Sequence, residues 1–136
     1  MNILFFLTPK DEVAFLYEDF TVRQAIEKME YHRYTVIPIL KRNGEYLGSL
    51  TEGDLLWYIK NNYNLNFKQA EEQLLLSVPR KKDYKKVKVT AKIDDLVVMS
   101  MQQNFTPVID DKDSFIGIIK RKDIISYCHN EYKKAR

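Results

Sequence analysis

Pro38-Ile39-Leu40, Tyr46-Leu47-Gly48-Ser49-Leu50 and Asp54-Leu55-Leu56 return later in the chain as Pro107-Val108-Ile109, Phe115-Ile116-Gly117-Ile118-Ile119 and Asp123-Ile124-Ile125. Each pair is separated by 69 positions. Proline, glycine and aspartate all hold this offset, and self-similarity at a fixed period marks a repeat architecture. Upstream the match continues with a small slip. Val22, Ala25, Ile26 and Met29 fall at the spacing of one helix face, and Ile93, Leu96, Val97 and Ser100 repeat it at an offset of 71. The second copy is therefore two residues shorter just before its proline.

Both copies predict the same elements. A short extended segment leads in, at 13–17 and again at 87–90. An amphipathic helix follows, over 21–32 and 93–103. Two β-rich runs come next, 35–40 with 46–50 and 106–109 with 115–119. Asn43-Gly44, a strong hairpin dipeptide, joins the first pair, and Asp110–Ser114 joins the second. A second helix closes each copy, over 52–61 and 121–133. The order is β-α-β-β-α, twice, in a mixed α/β (α+β) class. A copy of about 60 residues buries little surface alone, so the two are expected to pack as one unit. The expected division is a first repeat at 8–62, a linker helix and basic linker at 63–80, and a second repeat at 81–136. In the linker, Asn66 with Gln69 reads as a helix start, and Phe67, Ala70, Leu74 and Val78 keep helical spacing up to Pro79.

Composition narrows the function classes. Of 136 residues, 45% are hydrophobic and 30% charged, enough for a core in a soluble protein. The apolar run Ile3-Leu4-Phe5-Phe6-Leu7 is too short to span a bilayer, and no basic segment precedes it as in a secretory signal. A single cysteine, Cys128, forms no internal disulfide, and a cytoplasmic location is expected. The net charge of +3 does not mark a nucleic-acid binder, although residues 80–88 alone carry +5. That run reads either as a solvated linker or as an anion-facing rim. His32 and His129 lie far apart with no metal-ligand spacing, and the neighbours Cys128 and His129 point in different directions on a helix. Asp110-Asp111-Lys112-Asp113 lacks the alternation and glycine of a calcium loop. No Gly-rich phosphate loop, nucleophile elbow or zinc motif is present, and no catalytic residue is assigned.

The motif Gly48-Ser49-Leu50-Thr51-Glu52-Gly53-Asp54, with Val36-Ile37-Pro38-Ile39 before it, resembles the Gly-x-x-Thr-x-x-Asp signature of cystathionine-β-synthase-type (CBS) domains. The second copy, Gly117-Ile118-Ile119-Lys120-Arg121-Lys122-Asp123 after Thr106-Pro107-Val108-Ile109, keeps the glycine and aspartate but has lysine at the threonine position. The resemblance covers residues 8–130 or so. It implies two repeats packed by pseudo-twofold symmetry and a regulatory module that binds an adenine nucleotide in the clefts between them. Candidate nucleotides are AMP, ADP, ATP, cyclic di-AMP, S-adenosylmethionine or a dinucleotide. It further implies a homodimer and no required cofactor, the nucleotide acting as regulatory ligand, and the output is expected to be an effector protein, a change of self-assembly or another unidentified event. In the family, the aspartate accepts ribose hydroxyls, the threonine or serine contacts ribose or phosphate, and residues before the proline hold the base. Carried over, one cleft uses Tyr34, Ile37, Pro38, Thr51 and Asp54. The other uses Phe105, Thr106, Pro107, Lys120 and Asp123, with Arg121 beside Lys120 for phosphate.

Simple chemistry agrees with those roles. A carboxylate accepts two hydrogen bonds from a vicinal diol. A helix N-terminus offers free N–H groups to an anion. Apolar or aromatic walls suit a purine face. Blander readings compete. Thr51-x-x-Asp54 before an apolar helix is also a capping pattern that needs no ligand. Lys120-Arg121-Lys122 puts three cations at the positive end of a helix, which either a bound anion or full exposure to screening solvent relieves. Trp57 and Tyr58 fit packing against a partner module better than base binding. A ligand-independent interaction or dimerisation module is the main alternative function. A nucleic-acid binder built on residues 80–88 ranks last, since Tyr84 is the one aromatic there.

Overall fold

The computed structural model describes residues 2–136. In chain order the elements are β1 (Leu7–Pro9), β2 (Leu16–Tyr17), α1 (Val22–His32), β3 (Val36–Leu40), β4 (Tyr46–Thr51), α2 (Glu52–Tyr63), α3 (Phe67–Glu71), β5 (Val87–Lys88), α4 (Ile93–Ser100), β6 (Phe105–Ile109), β7 (Phe115–Lys120) and α5 (Arg121–Ala135). Single 3-10 turns occupy Ile3–Phe6, Lys10–Glu12 and Leu75–Ser77. The chain divides into two compact units, Ala14–Asp83 and a second made of Tyr84–Arg136 with the segment up to Val13.

In the first unit β2 lies parallel to β3, and β3 runs antiparallel to β4. Leu16, Val22, Ala25, Met29, Ile37, Ile39, Leu50 and Leu55 form its core, so the helical face read from the sequence is the face that α1 buries. Thr21 starts α1 with a reciprocal capping box. Its hydroxyl accepts from the Gln24 N–H, and the Gln24 carbonyl accepts from the Thr21 N–H at 2.8 Å. In the second unit β5 lies parallel to β6 and β6 antiparallel to β7, in the same register as the first copy: Ile39 faces Gly48, and Val108 faces Gly117. Both hairpins even bulge at matching positions, Ile39/Leu40 and Val108/Ile109. Ile3, Leu96, Val108, Ile119 and Ile124 pack together there. Each copy thus has the expected β-α-β-β-α order.

The two hairpin turns are chemically different solutions to one geometry. Gly44 takes φ 96° in the first, as the Asn-Gly dipeptide predicts. The matching residue in the second is Asp113, with φ 63°, a conformation aspartate tolerates better than most side chains. Asp110 steadies that turn by accepting from the N–H groups of Lys112 and Ser114, each at 2.9 Å.

Two features depart from the sequence reading. The linker is not one helix over 66–78. Asn66 does cap α3 by accepting from the Gln69 N–H, but α3 ends at Glu71. The chain then turns aside: the Val22 N–H at the start of α1 donates to the Gln73 carbonyl, and the Leu75 N–H donates to the Phe20 carbonyl. This exchange satisfies an orphan first-turn donor and buries Leu75 and Val78 in the core, leaving Leu74 exposed. Tertiary burial overrides the local period. The ends of the repeats also interleave. Residues 8–13, counted with the first copy by the repeat comparison, belong to the second unit, where β1 adds antiparallel to β7. Residues 81–83, counted with the second copy, belong to the first unit. Gly117 makes the first of these joins possible. Its φ is 153°, and a Cβ there would collide with the Thr8 carbonyl of β1.

Candidate ligand-binding site

Thr51 with Asp54, and Lys120 with Asp123, lie where the last strand of each repeat enters its closing helix. In the first repeat, Thr51 ends β4 opposite Val36 and caps α2. Its hydroxyl accepts from the Asp54 N–H at 2.9 Å, and Asp54 Oδ2 accepts from the Thr51 N–H at 3.0 Å. The capping pattern is therefore realised in full. The other carboxylate oxygen, Oδ1, accepts from the Lys81 N–H at 3.3 Å. Asp54 also borders a small recess of about 270 Å³ shared with Trp57, Arg80 and Lys81.

The remaining expected residues of that repeat are dispersed. Ile37 is fully buried in the apolar core, so its side chain serves packing. Pro38 is buried opposite Ser49. The Tyr34 hydroxyl accepts from the Ala14 N–H at 3.3 Å, which ties the lead-in segment to the end of α1. Tyr34 lines a different, largely apolar recess of about 480 Å³, together with Met29, Leu55 and Ile59.

Beside Asp54 runs the segment 80–83. Arg80 Nε donates to Asp83 Oδ1 at 2.8 Å, and Nη2 donates to Oδ2 at 3.3 Å. The hydrogen bond that Arg80 donates to Asp83 holds its guanidinium above its ordinary pKa, against a partial loss of hydration. Asp83 Oδ1 also accepts from the Ser49 N–H at 2.9 Å. Gly48 lets this carboxylate approach, since a Cβ there would overlap Asp83. Sequence reasoning treated 80–88 as a basic run. The one acid inside it, Asp83, is the residue that fastens it, and an acid amid six cations was the available signal.

The second repeat is built differently at the same positions. Phe105 faces Lys120, Thr106 faces Ile119 and Pro107 faces Ile118, all on the buried hairpin. Lys120 stands where Thr51 stands in the first copy, and its side chain makes no capping bond to α5. Asp123, half-buried in the first turn, makes no hydrogen bond or ion pair among the described residues. Arg121, expected beside the phosphate, has its Nε committed elsewhere: it donates to the Ser100 carbonyl at 2.8 Å and the Gln103 carbonyl at 3.1 Å. The first of these carbonyls ends α4 and the second lies three residues beyond it, where the negative dipole end favours a cation. Gln103, which the sequence did not single out, is buried and holds the linker. Its side chain accepts from the Lys85 N–H at 2.7 Å and donates to the Lys85 carbonyl at 3.1 Å. Tyr84 adds an edge contact to Phe105 and accepts from the Asn104 N–H.

Charge separates the two turns. The first reads Thr51-Glu52-Gly53-Asp54 and the second Lys120-Arg121-Lys122-Asp123, a change from two acids to three bases and one acid. Among the described residues, no group of three or more His, Cys, Asp or Glu is placed to hold a metal ion. Nor is any helix there long and apolar enough to cross a membrane.

Two β-α-β-β-α repeats, each carrying a Gly-x-x-x-x-x-Asp segment that runs from the last strand of its hairpin into its closing helix, define a tandem-repeat α/β class. The family model for the CBS domain matches twice, over residues 7–61 and 77–130, and the chain belongs to the CBS-domain family. A search of curated proteins finds no match. Solved structures share the fold. A hypothetical conserved protein from Geobacillus kaustophilus superposes with a TM-score of 0.86 at 19% identity, covering 96% of this chain and 98% of its own. Listeria monocytogenes CbpB in complex with c-di-AMP gives 0.80 at 18% identity, covering 96% of each chain. CBSX2 in complex with AMP gives 0.74 at 17% identity, covering 96% of this chain and 98% of its own.

Proposed function

We propose that this protein is a regulatory module that senses an adenine nucleotide and passes the signal to an effector protein. The observation that carries the reading is Asp123. It stands at the motif's aspartate position in the first turn of α5, without a partner among the described residues, three residues after Lys120, which pairs with Phe105. A carboxylate with unspent acceptors suits a ribose diol, and a neighbouring ammonium suits phosphate. The nucleotides seen with CbpB and CBSX2 support the ligand class. Ligand can change the module's state only through different affinity for two conformations. The working form is a cytoplasmic homodimer, built through helix faces.

A thermal-shift screen against AMP, ADP, ATP, cyclic di-AMP and S-adenosylmethionine tests the reading. A ligand present at 100 times its Kd stabilises the folded state by about 2.7 kcal/mol, which moves the melting temperature of a domain this size by several degrees. No shift with any of the five at millimolar concentration would remove nucleotide sensing and leave a ligand-independent interaction module.

A further inference from the structure

We propose that residues 80–83 form a strap that occupies the first repeat's half-site, so that nucleotide binding at Asp54 requires the strap to lift. The inference rests on the nucleotide reading above and concerns regulation of that site. Both carboxylate oxygens of Asp54 are engaged, Oδ2 by the Thr51 N–H of the cap and Oδ1 by the Lys81 N–H of the strap. A ribose diol that takes both oxygens competes with the Lys81 N–H for Oδ1. The strap is not loosely laid. The Arg80 guanidinium clasps Asp83 with two hydrogen bonds, and its side chain is only 18% exposed. Asp83 in turn is anchored to the Ser49 N–H, in the space that Gly48 leaves open.

The second repeat provides the internal contrast. At Gly117, the counterpart of Gly48, the neighbouring atoms come from the regular strand β1 through Thr8, Leu7 and Pro9, and no carboxylate is brought in. Among the described residues, no backbone N–H outside its own helix reaches the Asp123 side chain. The linker contact to the motif aspartate is thus present in one copy and, among the described residues, missing in the other.

Calorimetric titration of the full chain with AMP reads the difference as stoichiometry. The wild type is expected to take one AMP per chain. Asp83→Ala, or Arg80→Ala if the first variant folds poorly, is expected to raise this to two. Adding Asp54→Ala to the released variant should return it to one. Two AMP per wild-type chain, or one AMP per released chain, would overturn the strap. Amide exchange followed by NMR judges it independently of any ligand. The Ser49 and Lys81 amides should be protected in the wild type, and Ser49 should exchange about tenfold faster or more in Asp83→Ala. Rapid exchange at both amides in the wild type would dismiss the strap. An absence of AMP binding with both amides protected would instead reject the nucleotide reading and leave the strap as a structural clasp.

Discussion

The aspartates at the two helix starts occupy equivalent positions and have unequal duties. Asp54 closes a capping box and receives the linker backbone, whereas Asp123 does neither. A threonine hydroxyl accepts from the amide three residues on, which an ammonium, having no lone pair, does not. Lysine alone does not release the aspartate, since at the start of α4 the Lys92 N–H donates to Asp95 at 3.0 Å. Asp123→Ala is therefore expected to leave the fold intact. It should weaken adenine-nucleotide binding at least several-fold, from the loss of charge-assisted hydrogen bonds of about 1.5–3 kcal/mol. Unchanged affinity by calorimetry would take Asp123 out of the site. Arg121 teaches the opposite lesson. Its charge suggested phosphate, yet its Nε serves the end of α4, so a charge count alone does not assign a ligand.

At the scale of elements, glycines separate the tight junctions from the tolerant ones. Gly117 couples an unusual φ with the close passage of β1, so Gly117→Ala should destabilise by about 1–3 kcal/mol through strain and loosened β1 pairing. Gly53 lies in the first turn of α2, where a Cβ would meet only ordinary contacts, the nearer at 3.6 Å to Thr51 Oγ1. Gly53→Ala should stabilise by up to about 1 kcal/mol. Urea unfolding of the two variants should give shifts of opposite sign, and equal signs would contradict the assignment of strain to Gly117. Most of this level was legible in the sequence, because a 69-residue period fixes hairpin, helix and turn in both copies at once. Two things were not. The 3.6-residue pattern over 66–78 could not reveal that Val22 would claim the Gln73 carbonyl and break the helix. Nor could pattern show that Asp83 would bond to Ser49, since a contact across 34 residues leaves no local trace. The candidate site was legible as motif positions and not as hydrogen-bond duties. Those depend on where the linker lies.

For the whole molecule, the faces of α2 and α5 left to solvent carry Leu56, Trp57, Ile125 and Tyr132. Large apolar side chains on helical faces need cover. Multi-angle light scattering at micromolar concentration should report twice the chain mass of 16.2 kDa, and a monomer would contradict the dimer. The N-terminal strand has a wider consequence. Because β1 completes a sheet whose other strands lie beyond residue 84, the second unit is assembled from the two ends of the chain, while the first is one continuous stretch. The protein's units follow a circular order rather than a linear one. A permutant that opens the chain between Asp83 and Tyr84 and joins Arg136 to the old N-terminus through a flexible linker would read each unit as an unbroken segment. It should fold cooperatively, with a melting temperature near that of the parent. A break placed inside 84–136 would scatter the second unit and should cost it its stability.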